Sequence, residues 1–428
     1  MTKAGTTPDE IEKNYKWNFI WFTVDNMMFF FIFMGLSPYT VLPFYLKHFT
    51  DSNILIALIP AIYILGNSLP QIFMARFLRK TDERKKYLLM AASIQRLGIL
   101  GMLGLIILQP ILMMPNPLVI FFFFLTLVIQ NVASGFYVPA WLDFLGKSIP
   151  TRRGLLFGIS NFFGGLLGLG IGWLLTYLLD RFPYYQAMAW IVGIAFAASL
   201  VSLTAIFMWK ETLSVKRDAS MTQNTSNRKT ILADSNFLQY LLWRGLMVIL
   251  DIATPFYALS AMASLKLADS QVGVFTVLLS LSETIFNPLW GWLGDHKGFY
   301  NIVVISAVAG ITAAILAATA SSLFIYYLVF LLAGIMISGL QISNFNIIFE
   351  FSPPDLVPMY TAVSQMALSP LSGIIPVLGG FIADQWGYLS DFWLAGGVGL
   401  VSLIGMLVRV KNPKKTQAMQ MTAPEKIL

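Results

Sequence analysis

Cysteine is absent from this 428-residue sequence, and histidine occurs only twice, at His48 and His296. The chain therefore has no disulfide, thiolate metal ligand or thiol nucleophile, and two histidines far apart in sequence leave little for a metal cluster. A nucleotide-binding loop and a catalytic triad are also missing. The sequence predicts a protein that is not an enzyme, with no catalytic residues, no metal site and no bound cofactor.

Charged residues are scarce as well, at 11% of the chain against about 25% in an ordinary soluble domain. Hydrophobic residues make up 57% and lie in long blocks of roughly 20 residues, the length at which a helix crosses a hydrocarbon core of ~30 Å. Transmembrane β-strands alternate in polarity, whereas stretches such as 118–129 and 155–179 are apolar on all sides. The composition predicts an all-α integral membrane protein and excludes a soluble enzyme or a nucleic-acid-binding protein.

The apolar blocks predict twelve transmembrane helices. One long polar segment divides them into six and six, which gives an N-terminal six-helix bundle at 1–209, a cytoplasmic linker at 210–236 and a C-terminal six-helix bundle with a short basic tail at 237–428. The acidic N-terminus lacks the basic region of a signal peptide, so we expect the first helix to be retained. The predicted helices begin near Trp17, Ile54, Tyr87, Pro117, Gly154, Gln186, Phe237, Ser270, Tyr300, Ser322, Val357 and Tyr388.

The distribution of positive charge predicts the orientation. With both termini inside, the inner segments hold 23 of the 28 Lys and Arg residues, and the outer segments hold three. Cytoplasmic loops carry such an excess. The net charge of +7 therefore needs no acidic partner. We expect a multi-pass protein of the plasma membrane with both termini cytoplasmic, a monomer whose partners are the lipid bilayer and a small-molecule substrate, with no nucleic acid.

The two halves resemble copies of one another. Pro43-Phe44-Tyr45 recurs as Pro255-Phe256-Tyr257, and Asp51-Ser52 recurs as Asp269-Ser270. Later in each half, Pro150, Asp180 and Tyr184 match Pro354, Asp384 and Tyr388 in the same order. Matches that keep their order indicate a duplication. Two pseudo-symmetric six-helix bundles around a midplane cavity are typical of alternating-access transporters.

The segment 291–298 reads GWLGDHKG and resembles the loop signature G-x-L-x-D-(R/K)-x-G of the major facilitator superfamily. The resemblance, carried also by the twelve spans and the basic linker, implies that fold and a cytoplasmic gate formed by Gly291, Asp295 and Gly298. The equivalent positions of the first half are Phe73, Phe77 and Lys80, so the signature is lost there. Asp143, at the inner end of the fourth span, could pair with Arg79 or Arg84 instead. An arginine in the fourth span and a proline among the fifth-span glycines, both frequent in the superfamily's drug–proton antiporters, are absent.

Charge inside a membrane is costly, so each instance needs a reason. Asp251 and Glu283 lie near the middle of the seventh and eighth spans, and Arg244 precedes Asp251 by seven residues, about 10 Å along a helix. We expect Glu283 to bind the coupling proton and Asp251 to orient substrate with Arg244, although a structural ion pair would also explain them. Asp25 is equally compatible with a functional and a structural role, and Arg96 fits a structural role better. Gln130, Asn131, Gln341 and Asn344 could orient substrate in an aromatic pocket.

Together these features predict a secondary active transporter that moves a small amphipathic solute by alternating access. Coupling to a proton, or to another ion gradient, is the expected source of energy. Export is slightly favoured over a nutrient or sugar uptake symporter because the predicted cavity is aromatic and carries few charges. Two other classes remain open, a lipid flippase and a non-transporting membrane sensor, since a fold does not determine function.

Overall fold

The structure is a computed structural model that describes residues 8–78, 84–149, 152–210, 233–353 and 356–414. Over these residues twelve helical stretches are long and apolar enough to cross a membrane, each beginning within five residues of its predicted position. The predicted all-α membrane fold is thereby confirmed. Most of the predicted linker and the proposed gate partner Arg79 lie outside the described residues.

The chain divides into two compact units. The first contains the described part of 1–220 together with Lys266–Ser280, and the second contains the described part of 221–265 together with Leu281–Leu428. The helices of the N-terminal part are α1 (Pro8–Gly35), α2 (Val41–Lys47), α3 (Asn53–Leu78), α4 (Arg84–Ile111), α5 (Asn116–Ser148), α6 (Arg153–Arg181) and α7 (Tyr184–Met208). Those that follow are α8 (Ser235–Met247), α9 (Tyr257–Leu265), α10 (Gln271–Lys297), α11 (Phe299–Ala318), α12 (Leu323–Asn346), α13 (Ile348–Phe351), α14 (Val357–Trp386) and α15 (Tyr388–Arg409).

The first span of each half is interrupted. In the first half α1 ends at Gly35 and α2 begins at Val41, with Pro38 between them. In the second half α8 gives way to two short 3₁₀ segments, Val248–Ile252 and Thr254–Phe256, before α9 starts. Pro255 explains this second interruption, because proline has no N–H and its ring excludes the carbonyl four residues earlier, here that of Asp251. The prediction of one continuous helix from Arg244 to Asp251 was therefore wrong.

The repeated motifs occupy equivalent places in the two units. Tyr184, at the start of α7, stacks on His48 with ring centroids 3.8 Å apart. Its counterpart Tyr388, at the start of α15, stacks on Phe256 at 5.5 Å. In each unit a repeated tyrosine therefore stacks on a ring in or near the first span of its half, on His48 just after α2 and on Phe256 in the second 3₁₀ segment.

Three glycines of α6 at four-residue spacing, Gly164, Gly168 and Gly172, form a packing stripe. A Cβ on Gly164 would lie 2.9 Å from Phe30 Cβ, and one on Gly168 would lie 2.9 Å from Met34 Cγ, both on α1. Small residues allow membrane helices to approach closely. Gly164 and Gly168 thus bring α6 against α1, which carries Asp25. A Cβ on Gly172 would instead lie 2.7 Å from Val277 Cγ2 on α10.

Candidate functional site

Asp25 is the centre of a buried polar network in the first unit. It is 2% exposed and accepts three hydrogen bonds. Tyr137 Oη and Trp141 Nε1, both on α5, donate to Asp25 Oδ2 at 2.8 Å each. Ser202 Oγ, on α7, donates to Asp25 Oδ1 at 2.6 Å. One carboxylate therefore joins α1, α5 and α7.

Arg96 on α4 joins this network through Ser202. Its Nη2 donates to Ser202 Oγ at 2.5 Å, and its Nε donates to the Ser199 carbonyl at 3.2 Å. Nη1 is held by the Ala92 carbonyl and by Gln95 Oε1. The guanidinium is 5% exposed, so a hydroxyl bridges two buried opposite charges. Such a bridge holds the pair in place, because a satisfied buried polar network is rigid.

Aromatic packing fixes the geometry around Asp25. Phe22 stacks on Trp209 with ring centroids 4.0 Å apart and meets the edge of Trp141 at 6.0 Å. Phe144 also packs against Phe22, at 5.9 Å. These rings place apolar surface beside the network. The hydrogen bonds to the Asp25 carboxylate are therefore electrostatically stronger than they would be in water, because the local dielectric is low.

Gln130 and Asn131, predicted to orient substrate, line a small cavity inside the first unit. It measures about 50 Å³ and is also bordered by Tyr63, Asn67 and Ser134. Gln130 Nε2 and Ser134 Oγ are buried without a hydrogen-bond partner in the described part of the chain. Asn131 Nδ2 donates to the Leu127 carbonyl at 2.8 Å. Pockets for drug-sized ligands measure ~300–1,000 Å³, so this polar cavity matches water or one small group of a ligand.

Glu283 lies in α10, in the part of that helix that belongs to the second unit, and it is 3% exposed. Among the described residues its carboxylate makes no hydrogen bond and has no cation within 4.0 Å. The hydroxyl of the neighbouring Ser282 does not donate to Glu283, since its Oγ donates to the Leu331 carbonyl at 2.9 Å. Glu283 is therefore a buried acid whose charge no described neighbour neutralises.

Arg244 and Asp251 flank the interruption between α8 and α9. Arg244 is 6% exposed, and its Nη1 has no hydrogen-bond partner among the described residues. Asp251 sits in the 3₁₀ segment Val248–Ile252, so the spacing of a continuous helix does not apply to it. No ion pair within 4.0 Å joins the two side chains in the described chain. The predicted role of the two side chains in orienting substrate stays a prediction.

The two amides predicted on the tenth span differ in exposure. Gln341 is exposed and Asn344 is half-buried, both near the end of α12. Neither makes a side-chain hydrogen bond within the part of the chain that the structure describes. Their roles as substrate ligands stay predictions.

Hydrogen bonds from two other segments hold the signature loop 291–298 and the residue that follows it. Glu350 on α13 accepts a hydrogen bond from the Phe299 N–H at 2.8 Å and so caps the start of α11. Lys414 Nζ donates to the Asp295 carbonyl at 2.5 Å, at the end of α10. Gly298 has a φ of +91°, a conformation that glycine adopts without strain. Burial raises the pKa of Glu350, although the Phe299 N–H and Lys414 partly offset that effect.

The predicted gate residues differ in exposure and in their surroundings. Asp295 is exposed, Gly298 forms the turn before α11, and Gly291 has open space where a Cβ would lie. Asp143 is half-buried on α5. The side chains of its suggested partners, Arg79 and Arg84, lie outside the described residues. The gate itself stays a prediction.

Several residues of these sites were not predicted. Trp141 and Ser202 complete the Asp25 network, and Glu350 caps the loop, but none has a sequence signal that identifies its partner. Asp391 on α15 was also missed. It is 0% exposed, and neither carboxylate oxygen has a hydrogen-bond partner in the described residues. An acid three residues into the last apolar block was the signal that could have found it.

Comparison with known proteins identifies the family. In the part of the chain that the structure describes, twelve helices long and apolar enough to cross a membrane define the class, a helical multi-pass membrane protein. A family model described as Major Facilitator Superfamily matches residues 26–257 and 237–425. The chain belongs to the Major Facilitator Superfamily, whose members are transporters, as the loop signature suggested.

Two curated relatives are drug resistance proteins by name. The chain is 26% identical over 141 residues to "Multidrug resistance protein MdtG" of Klebsiella pneumoniae (strain 342), covering 32% of this chain and 33% of that protein. It is 23% identical over 179 residues to "Quinolone resistance protein NorA" of Staphylococcus aureus (strain Mu50 / ATCC 700699), covering 41% and 44%. The matches thus span less than half the length of either relative.

Solved structures share the fold at low sequence identity. A D-xylose-proton symporter superposes with a TM-score of 0.70 at 14% identity, covering 94% of this chain and 99% of that one. The nucleoside transporter NupG superposes with a TM-score of 0.69 at 12% identity, covering 92% and 98%. At such identity the likeness concerns the fold alone.

Proposed function

We propose that this transporter exports small amphipathic compounds from the cell in exchange for protons. The named resistance activities of the two curated relatives support export, although they match only part of the chain. The composition, with 14% aromatic and 11% charged residues, supports an amphipathic substrate. The symporter neighbours share only the fold, so they carry no argument for a sugar or a nucleoside.

Glu283 is the observation that carries the coupling proposal. A buried carboxylate without a cation partner favours its neutral form, because burial penalises the charged one. It can bind a proton on one side of the membrane and release it when a cation or water approaches. Glu283 fits this description better than Asp25, which is already held by Tyr137, Trp141 and Ser202.

Asp251 and Arg244 are proposed to orient the substrate. They flank a helix interruption, and interrupted helices in transporters leave backbone groups open to substrate or ions. Pro255 has no N–H to donate to the Asp251 carbonyl four residues earlier. A compound with both a cationic and an acceptor group would meet complementary partners here.

Counterflow in proteoliposomes tests the transport claim without any ion gradient. Vesicles containing the purified protein are loaded with an unlabelled lipophilic cation, and uptake of a trace of the labelled cation is followed. We expect transient uptake above that of protein-free vesicles, because alternating access exchanges bound solute. Parallel vesicles loaded with xylose or uridine are expected to show none. Exchange of xylose or uridine in place of the cation would contradict the proposed substrate class.

The proposed orientation, with both termini cytoplasmic in the plasma membrane, is tested by labelling. The absence of cysteine makes single-cysteine variants directly usable. Ser321→Cys lies at an exposed position between α11 and α12, and Ser214→Cys lies in the central linker. We expect impermeant maleimide to label only Ser321→Cys in intact cells and to label both after lysis. Labelling of Ser214→Cys in intact cells would overturn the orientation.

A further inference from the structure

An apolar groove runs along the surface of the first unit between α3, α4 and α5. Its volume is about 700 Å³, within the ~300–1,000 Å³ range of ligand pockets. The lining is almost entirely hydrocarbon and aromatic, and includes Phe73, Tyr87, Met90, Ile94, Val132 and Phe136.

The groove opens outward, toward the lipid. Phe73 is 65% exposed, Met90 56% and Ile94 42%. The surrounding helices are membrane spans, so the medium at this opening is the bilayer. The occupant must therefore be something dissolved in the membrane.

The groove is short enough to lie within one leaflet. Its α4 wall runs from Tyr87 to Ile94, seven residues or about 10 Å of helix, starting two residues from the end of the span at Lys85. Half of a ~30 Å hydrocarbon core is ~15 Å. An acyl chain that enters at the interface would lie along this wall.

Lys86 lies at the interfacial end of the α4 face that lines the groove. Lys86 is exposed and precedes Met90 and Ile94 by one and two steps of four residues, so all three lie along one face of α4. The adjacent Lys85 is already engaged, since its Nζ donates to the Phe207 carbonyl at 2.8 Å. Lys86 remains to meet an anionic headgroup, since basic residues at a membrane surface are attracted to anionic lipids.

We propose that this groove, formed by α3, α4 and α5, binds one anionic phospholipid, with an acyl chain against Met90 and Ile94 and the phosphate group at Lys86. This site is separate from the Asp25 network and from Glu283. The lipid is a bound component of the folded transporter and is not its cargo.

Native mass spectrometry of the full-length protein in detergent tests the proposal. The probes are phosphatidylglycerol and phosphatidylcholine with identical acyl chains. We expect the wild type to retain phosphatidylglycerol several-fold better. Val132→Trp fills the groove and should lower retention of both lipids, whereas Lys86→Gln should remove only the preference. Leu108→Trp, on the exposed face of α4 away from the groove, and Lys16→Gln are the matched controls and should behave as wild type.

Three results would overturn the proposal. They are equal retention of the two lipids by the wild type, a preference that survives Lys86→Gln, and retention that survives filling of the groove. Because Val132→Trp could disturb folding, Met90→Trp at an exposed position provides a second filled groove. Thermal unfolding with either lipid added is measured for each variant, and the extra stabilisation by phosphatidylglycerol should disappear in Met90→Trp. Displacement of phosphatidylglycerol by the lipophilic cation would show that the groove binds substrate, and would also contradict the proposal.

Discussion

Glu283→Gln is expected to reduce pH-driven accumulation of substrate to the level of protein-free vesicles while counterflow stays close to wild type. Glutamine keeps the shape of the side chain and removes only the proton-binding group. Since no described cation lies within 4.0 Å of Glu283, the change strands no buried charge. The variant should therefore fold, and substrate exchange should continue without coupling.

A control and a double variant distinguish a proton-coupling role of Glu283 from a structural ion pair with Arg244. Asp269→Asn, at an exposed position just before α10, is the matched control and should retain pH-driven accumulation. Arg244→Gln is combined with Glu283→Gln to test for pairing. If Glu283→Gln expresses poorly and the double variant restores expression, Glu283 is the structural partner of Arg244. If the well-folded single variant still accumulates substrate along a pH gradient, Glu283 does not carry the coupling proton.

The second large effect concerns stability. Asp25→Ala should cost about 3–5 kcal/mol of unfolding free energy, since it leaves the buried guanidinium of Arg96 without its counter-charge. It also removes the acceptor for Tyr137, Trp141 and Ser202. Thermal unfolding in detergent, or yield of monodisperse protein, measures the loss. Asp51→Asn is the control, because Asp51 is exposed and an exposed ion pair with Lys47 is worth ~0–1 kcal/mol.

A double variant decides how much of that loss comes from the charge pair. Asp25→Asn combined with Arg96→Gln removes both charges and keeps polar groups in the network. We expect it to be more stable than Asp25→Asn alone. If Asp25→Asn alone is as stable as the wild type, the carboxylate does not hold Arg96 in place.

The architecture could be predicted because it depends on local composition. Each span needs enough apolar residues to cross the bilayer, and that requirement is visible in the sequence wherever it occurs. The interruptions were missed because apolar residues continue through them. Pro38 and Pro255 were present in the sequence, but membrane helices tolerate proline where neighbouring groups satisfy the freed backbone.

The sites were predicted less completely, because their partners are distant in sequence. Asp25 was recognised as a charge in an apolar span, yet the residues that bind it lie 112, 116 and 177 positions away. Spacing along one helix predicts a shared face but not which neighbouring helix meets it. Gln130 and Asn131 were expected in a substrate pocket, and the structure places them at a cavity of about 50 Å³. The volume of a cavity depends on the packing of several helices, which no single segment reveals.

Proton movement during transport tests the central claim most directly. Proteoliposomes enclosing a pH-sensitive dye are prepared with no pH gradient, and a lipophilic cation is added outside while the internal pH is followed. For a proton-coupled exchanger we expect cation entry to drive protons out, so that the lumen becomes alkaline with the wild type and stays constant with Glu283→Gln. Cation entry at constant internal pH in the wild type would contradict the account.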